Sequence, residues 1–281
     1  MKIEMDCIPC LLRQTLEASR MATGDEGLIR DILNEYAREI PQMNGELGPH
    51  ISGRFQEIIK QKTGVDDPYL EVKKNNIEMA RFFFEEVQEV VDRSQEPLLG
   101  SLIMAAMGNS LDAGLNLDVD LKEGLRRALE DGFVRSDYDQ FFEKIKESET
   151  ILIVADNSGE AVFDSLLIEE LKKFNLKMIY AVREVPVLND VTLDVARDVG
   201  IDDLCTVISS GVKTPGIVLE ESSAEFKKYF RTADVVISKG MGNLEALTET
   251  DREIYYLLKA KCNVIAGYLD VKIGDLVFVR E

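Results

Sequence analysis

Thr150-Ile151-Leu152-Ile153-Val154-Ala155-Asp156-Asn157-Ser158-Gly159-Glu160 is the stretch on which the reading of the chain turns. Residues 151–155 form an unbroken apolar run, the pattern of a parallel strand covered on both faces rather than an alternating, half-wet one. The run ends abruptly in Asp-Asn-Ser-Gly-Glu, and Val162, Leu166, Leu167 and Leu171 follow at helical spacing. The same cycle recurs downstream. Residues 177–182, 204–208, 234–238 and 263–268 read as strands, with 275–279 a candidate last strand, and 193–199, 224–230 and 253–259 read as helices. Strands alternating with helices predict an α/β fold, a Rossmann-like, mostly parallel sheet.

Upstream of residue 148 the pattern is helical. Asp6 is placed to cap a helix through Cys10, Leu11, Leu12, Leu16 and Met21. Further helices are expected over 28–40 and 51–62, the latter ending at Thr63-Gly64, and another from Asp67-Pro68-Tyr69 through Ile77, Ala80, Phe83 and Val87. One opens at Pro97 and runs to Met107, and shorter ones lie near 121–130 and 138–146. Phe82-Phe83-Phe84 is read as core. The change of pattern predicts a helical domain over 1–148 and an α/β Rossmann-like domain over 149–281.

The chain has 281 residues, with 33 Lys plus Arg against 52 Asp plus Glu, a formal charge of −19. Such a surface repels a phosphate backbone, so no nucleic-acid partner is expected. The N-terminus lacks a secretory apolar region, and no stretch approaches the roughly 18 uninterrupted apolar residues of a membrane span. A cytoplasmic protein with no membrane partner is expected; the oligomeric state is not legible. His50 is the single histidine, which nearly excludes a His-based triad or a multi-His zinc site. His50 is read as structural. Cys7 and Cys10 are spaced to share one helix face and are read as packing thiols, with substrate contact the lesser option. Cys205 and Cys262 are read as isolated strand residues, which leaves a structural zinc short of ligands.

Ligands of open α/β sheets gather outside the carboxyl ends of the strands, so the residues following each strand carry the chemistry. After the first stand Asp156 and Asn157, with Glu160 close by. After the second come Arg183, a planar fork suited to phosphate, and Asn189-Asp190. After the third comes Ser209-Ser210-Gly211. After the fourth comes Lys239-Gly240-Met241-Gly242-Asn243, which is not a Walker A loop. Each segment alone is also the signature of a turn and helix cap. Together they place acids, amides and cations on one rim. Two carboxylates and an amide oxygen suit Mg²⁺ or a similar ion, and Arg183 with a lysine suits a phosphoryl group. Gly108, Asn109 and Asp112 interrupt an apolar helix and are expected to face the cleft, with Asn109 able to touch substrate.

The chain resembles the DUF89 family, the damage-control phosphatases related to the protein called acidic residue methyltransferase 1. The resemblance rests on Asp6-Cys7-Ile8-Pro9-Cys10, the segment from His50 to Tyr69, Gly108-Asn109-Ser110-Leu111-Asp112, Asp156-Asn157-Ser158-Gly159-Glu160, Arg183-x-x-Pro186-x-x-Asn189-Asp190, Lys239-Gly240-x-Gly242-Asn243 and Leu258-Lys259-Ala260-Lys261-Cys262. Cys7-x-x-Cys10 resembles the prokaryotic stand-alone subgroup. Another subgroup carries Arg-Thr-x-Lys where this chain reads Leu258-Lys259-Ala260-Lys261, so the lysine is kept and the arginine is not. The resemblance implies a helical region beside a Rossmann-like core, hydrolysis of small phosphorylated metabolites, a preference for Mn²⁺, Co²⁺ or Ni²⁺, and metal ligation by Asp156, Asn157 and Asp190.

The expected catalytic set is therefore Asp156, Asn157, Asp190 and Glu160. The expected substrate contacts are Arg183, Asn189, Lys239, Gly240, Asn243, Lys261 and Asn109. Reading residues 263–268 as a strand puts Lys261 at its start, on the wrong side of a parallel sheet, so its reach to the site requires an antiparallel last strand or a long loop. The strand at 151–155 is followed by Asp156-Asn157-Ser158 and not by Asp-x-Asp, which favours direct attack by water over an aspartyl intermediate. Two other functions compete. A non-catalytic phosphometabolite sensor would keep the cations but would not need two carboxylates. A carboxylate methyltransferase would need a Gly-rich loop after the first strand, and Asp156-Asn157-Ser158-Gly159 matches that poorly.

Overall fold

The structure is a computed structural model that describes residues 1–108 and 120–281. Asn109, Ser110, Leu111 and Asp112 lie outside the described residues.

A seven-stranded sheet organises the chain, in the order β1 (Arg135–Ser136), β7 (Leu276–Arg280), β6 (Tyr255–Lys259), β5 (Val235–Lys239), β2 (Thr150–Val154), β3 (Lys177–Val182) and β4 (Thr206–Ser209). Every pairing is parallel except β6 with β7. The chain runs outward from β2 through β3 to β4, then returns to the other flank of β2 as β5. The order thus reverses at β2, and the carboxyl ends of β2, β3 and β5 frame the crevice where such sheets take their ligands.

Strand parity decides what each face carries. Ile151 and Ile153 of β2, Met178 and Tyr180 of β3, and Val235 and Ile237 of β5 point to one core. That core is covered by α4 (Leu70–Asp92), α5 (Pro97–Met107), α7 (Tyr138–Lys146) and α8 (Ser158–Lys172). Leu152, Val154, Ile179 and Val236 point to the other, against α10 (Ala224–Thr232), α11 (Met241–Leu247) and α12 (Asn263–Tyr268). α6 (Asp120–Asp131) and α9 (Leu193–Asp198) complete the set around the sheet. The first three helices, α1 (Cys7–Ala22), α2 (Glu26–Glu39) and α3 (Gly48–Thr63), pack on one another around smaller cores that include Ala18, Ile32, Tyr36, Phe55 and Ile59. Residues before 148 also reach the sheet itself: β1 pairs with β7, and α4 and α5 pack on α8.

Two segments exchange roles relative to the sequence reading. Residues 253–259, expected as helix, hold strand β6, and residues 263–268, expected as strand, form helix α12. Tyr255-Tyr256-Leu257-Leu258 is buried throughout, and a short, continuous apolar run has no period to separate buried strand from buried helix. The β-branched Val264 and Ile265 made 263–268 resemble a strand, but Cys262 accepts the amide of Ile265 through its sulfur and starts a turn of helix. The short strand β1 was missed. Of the three phenylalanines, Phe83 is core while Phe82 is exposed, as adjacent positions on a helix must diverge by about 100°.

Candidate active site

Asp156 leaves the carboxyl end of β2, and Asp190 lies eight residues beyond the last residue of β3. The two converge because the loop carrying Asp190 is stitched back onto the strand end. Val191 donates to the carbonyl of Asp156 at 2.9 Å, Ser158 donates to that of Asn189 at 2.8 Å, and Arg183 donates to that of Val191 at 2.8 Å. Asn157 and Asp190 form an isolated antiparallel bridge. Neither residue caps a helix. Asn157 stands before α8 but makes no capping bond, and Thr192, not Asp190, precedes α9. Asp6, expected as the cap of α1, likewise makes no side-chain cap bond.

Asp156, Asn157, Asn189 and Asp190 line a cavity of about 750 Å³ whose far wall comes from α1 and α3. Lys261 lines it too, and among the described lining residues it supplies the cationic side chain. It arrives by a simpler route than expected. β6 is parallel to β5 and ends at Lys259, so Lys261 follows a strand's carboxyl end and sits on the same rim as Asp156.

The other predicted cations are behind the rim rather than on it. Arg183 is 1 % exposed. Its Nε donates to Asp190 Oδ2 at 2.7 Å, one Nη donates to Asn243 Oδ1 at 3.0 Å, and that same nitrogen lies 3.9 Å from Asp156 Oδ1. Its other Nη is buried without a hydrogen-bond partner among the described residues. Lys239 is 0 % exposed and pairs with Glu160 at 2.6 Å and Asp164 at 2.5 Å. The geometry corrects its expected role in phosphate contact: parity within β5 turns it with Val235 and Ile237 under α8. Asn243 is also internal. Its amide nitrogen donates to the carbonyls of Ala155 and Lys239, and its oxygen accepts from Ile217 and Arg183. Asn243 ties the β2 and β5 ends together rather than touching the cavity. Gly240 has φ of +77°, and a Cβ there would overlap the Asp156 carboxylate, so it lets the β5 backbone pass close to that side chain. Ser209 and Ser210 are bonded within their own loop, Ser209 also donating to Glu184, and neither lines the cavity. Asn109 falls outside the described residues.

Glu160 is buried with both carboxylate oxygens engaged, Oε1 accepting from Asn157 Nδ2 at 2.7 Å and Oε2 pairing with Lys239. Burial raises the carboxyls of Asp156, Glu160, Asp164 and Asp190 above the usual range. Asp190 adds to the rise at Asp156, while Arg183 opposes it at Asp156 and Asp190. Lys239 is lowered by burial but raised on balance by Asp164 and Glu160.

Sequence reasoning missed Asp164, Tyr180 and Glu245. Asp164 is a lone carboxylate among Val162, Phe163, Leu166 and Leu167, four positions after Glu160 on α8, and such a residue needs a buried partner. Tyr180 donates to it at 2.6 Å. Glu245 of α11 lines the cavity, and burial pushes its carboxyl up to about 7; a carboxylate on a short apolar helix was its only signal. Cys262, expected in a strand, instead joins Cys7 and Cys10 along the cavity wall. Cys205 precedes β4, its sulfur directed to the carbonyl of Ile201. His50 pairs with Glu221 at 3.3 Å, away from this cavity.

Comparison with known proteins places the whole chain in one family. Residues 3–277 match the model of the damage-control phosphatase ARMT1-like domain. A Pyrococcus horikoshii protein named a damage-control phosphatase is 35 % identical, with 100 % of this chain and 99 % of the relative covered. An Archaeoglobus fulgidus protein of the same name is 31 % identical over 99 % and 98 %. A Methanocaldococcus jannaschii protein, described as uncharacterized, is 33 % identical over 100 % and 96 %. The crystal structure of a DUF89 family protein from Pyrococcus horikoshii superposes with a TM-score of 0.89 at 32 % identity, over 100 % of this chain and 99 % of that one. The chain belongs to the damage-control phosphatase ARMT1-like family and is a phosphatase.

Proposed function

We propose that the cavity hydrolyses small phosphorylated metabolites with the help of one divalent cation held by Asp156, Asn157 and Asp190. The observation that carries this reading is charge. Asp156, Asp190, Glu160 and Asp164 are four buried carboxylates; two buried cations, Arg183 and Lys239, pair with them directly, and a third, Lys73, is paired with Asp67 and acts on Asp190 only at longer range. Such an excess of buried negative charge is costly unless a cation joins it. Among the described residues no three His, Cys, Asp or Glu side chains form a metal cluster. The donor set is instead two carboxylates and an amide oxygen. These are hard oxygen ligands suited to Mg²⁺ or Mn²⁺, and Co²⁺ or Ni²⁺ also accept such a set.

A divalent cation there would supply Lewis acidity toward the phosphoryl group. The chain's own residues do the rest. Lys261 and Asn189 line the cavity and would orient the phosphoryl oxygens, while Arg183, which does not line it, holds the Asp190 carboxylate. Hydrolysis breaks the phosphorus–oxygen ester bond, transfers the phosphoryl group to water and returns a proton to the leaving oxygen. The cavity far exceeds a phosphate group, so α1 and α3 would enclose the organic part of the substrate and exclude bulk water from the rim.

Turnover of p-nitrophenyl phosphate by chelator-treated protein tests the reading. Activity should fall to background and return with Mn²⁺, Co²⁺, Ni²⁺ or Mg²⁺, after which a phosphometabolite panel identifies the substrate. Full activity after removal of bound metal would overturn it. No described helix is long and apolar enough to cross a membrane.

A further inference from the structure

Behind the cavity runs a chain of contacts that no substrate can reach. Tyr180 of β3 donates its hydroxyl to Asp164 Oδ2 at 2.6 Å. Lys239 of β5 donates to Asp164 Oδ1 at 2.5 Å and to Glu160 Oε2 at 2.6 Å. Glu160 Oε1 accepts from Asn157 Nδ2 at 2.7 Å, and the same nitrogen donates to Asp156 Oδ2 at 3.1 Å. Tyr180, Asp164, Lys239 and Glu160 are each 0–1 % exposed, and none lines the cavity.

An amide has a donor end and an acceptor end, and only the oxygen can ligate a cation. Asn157 has two carboxylates, Asp156 and Glu160, facing its nitrogen. Turning the amide over would set its oxygen against both and its N–H groups toward the cation. Glu160 enforces this only while its own carboxyl plane is held. Lys239 holds the second oxygen, and Asp164 with Tyr180 holds Lys239.

We propose that Glu160 is a positioning residue, not a general base: held by Lys239, Asp164 and Tyr180, it locks the Asn157 amide with its oxygen toward the cation-binding face. This rests on the reading that Asp156, Asn157 and Asp190 hold a divalent cation. Both Glu160 oxygens are committed, so the carboxylate is not available to take a proton from water in the cavity. The lock is built from α8 and two neighbouring strands, elements the fold keeps rigid whether or not substrate is present.

The test exchanges donor and acceptor across one hydrogen bond. In Glu160→Gln, the new amide keeps its oxygen on Lys239 and turns its NH₂ to Asn157. Asn157 must then accept, which points its own N–H groups at the cation. Adding Asn157→Asp restores the pairing on the Glu160 side: the new amide donates to the new carboxylate, Lys239 keeps an acceptor and total charge matches the original, while the new carboxylate's repulsion with Asp156 Oδ2 is one that a bound cation relieves. The readout is calorimetric titration of Mn²⁺ into metal-free protein, with thermal unfolding recorded alongside. Glu160→Gln should bind Mn²⁺ on the order of 10- to 100-fold more weakly. The double variant Asn157→Asp/Glu160→Gln should recover to within about fivefold of the original or bind more tightly, because a carboxylate is the stronger ligand. Tyr180→Phe, which removes only the far hydroxyl, should be folded and show a smaller loss in the same direction. Unchanged affinity in Glu160→Gln, or a double variant no better than the single while folded, would overturn the proposal. Failure of the original protein itself to bind a divalent cation would instead overturn the reading of the cavity.

Discussion

Lys239 and Lys261 follow the same logic of sequence and reach opposite ends. Each lies at the carboxyl end of a parallel strand, on neighbouring strands, close to Asp156. Lys239 is the last residue of β5, and parity sends it under α8, where two carboxylates surround it. Lys261 stands two residues past β6, free of the strand's alternation, and lines the cavity. Proximity to a strand end therefore does not distinguish a buried structural charge from a ligand-facing one. Whether the residue is still inside the pleat does.

The largest expected effect tests the buried member. Lys239→Met removes the cation shared by Glu160 and Asp164 and should cost about 3–5 kcal/mol of folding stability, since it strands two buried carboxylates; urea unfolding of metal-free protein measures it. Lys261→Ala should do the reverse. Its unfolding free energy should stay within about 0.5 kcal/mol of the original, while kcat/KM falls on the order of 100-fold through a lost contact to the phosphoryl group. If Lys261→Ala unfolds the protein and Lys239→Met spares it, the contrast between the two lysines is wrong.

Glu245 sharpens the same distinction, because it is an acid at the cavity wall that forms no side-chain ion pair among the described residues. It faces the N-terminal ammonium, Cys7 and Cys10 of α1, and Gly48 of α3. Burial pushes its carboxyl up to about 7 in the folded protein, from an ordinary 4.5. The folded state therefore binds a proton that the unfolded chain releases, and stability is lost as pH rises from 4.5 to 7. Glu245→Gln removes that loss. The variant should exceed the original by on the order of 1–3 kcal/mol at pH 8, with the difference vanishing near pH 4.5. Unfolding curves at the two pH values check the sign. The smallest effect is expected at the thiols. Replacing both Cys7 and Cys10 with Ser should leave most of the metal-dependent activity, within about threefold, because these side chains belong to the α1 wall of the cavity and not to the strand ends that carry the acids. Complete loss of turnover with fold and metal retained would assign them a chemical role.

Much of the site was legible because it follows from connectivity. A strand buried on both faces, broken by Asp156-Asn157, marks a carboxyl end whatever the order of the sheet. Asp190 could be paired with Asp156 because β3 follows β2 through a single helix, making adjacency the default. What the sequence concealed was direction. Arg183 and Lys239 are the residue types that bind phosphate, yet here they neutralise carboxylates, and composition cannot tell one use from the other. Lys239 could have been placed correctly by continuing the alternation of Val235 and Ile237 by one more step. Asp164 and Tyr180 could have been flagged as polar groups on apolar faces. The exchange of helix and strand between 253–259 and 263–268 had no such cue, since both segments are short, apolar and without period. It left Lys261 on the wrong side of the sheet in the sequence reading, whereas the parallel β6 brings it to the cavity rim.

The proposed hydrolysis depends on a cation held by Asp156, Asn157 and Asp190. The direct measurement is bound metal per chain after equilibration with Mn²⁺, with phosphatase rate in parallel, for the original protein and for Asp156→Ala and Asp190→Ala. The original should retain about one cation per chain. Both variants should stay folded, hold far less metal and turn over on the order of 100-fold more slowly or worse, with Asp156→Ala the more severe. Full metal and full rate in both variants would contradict the assignment.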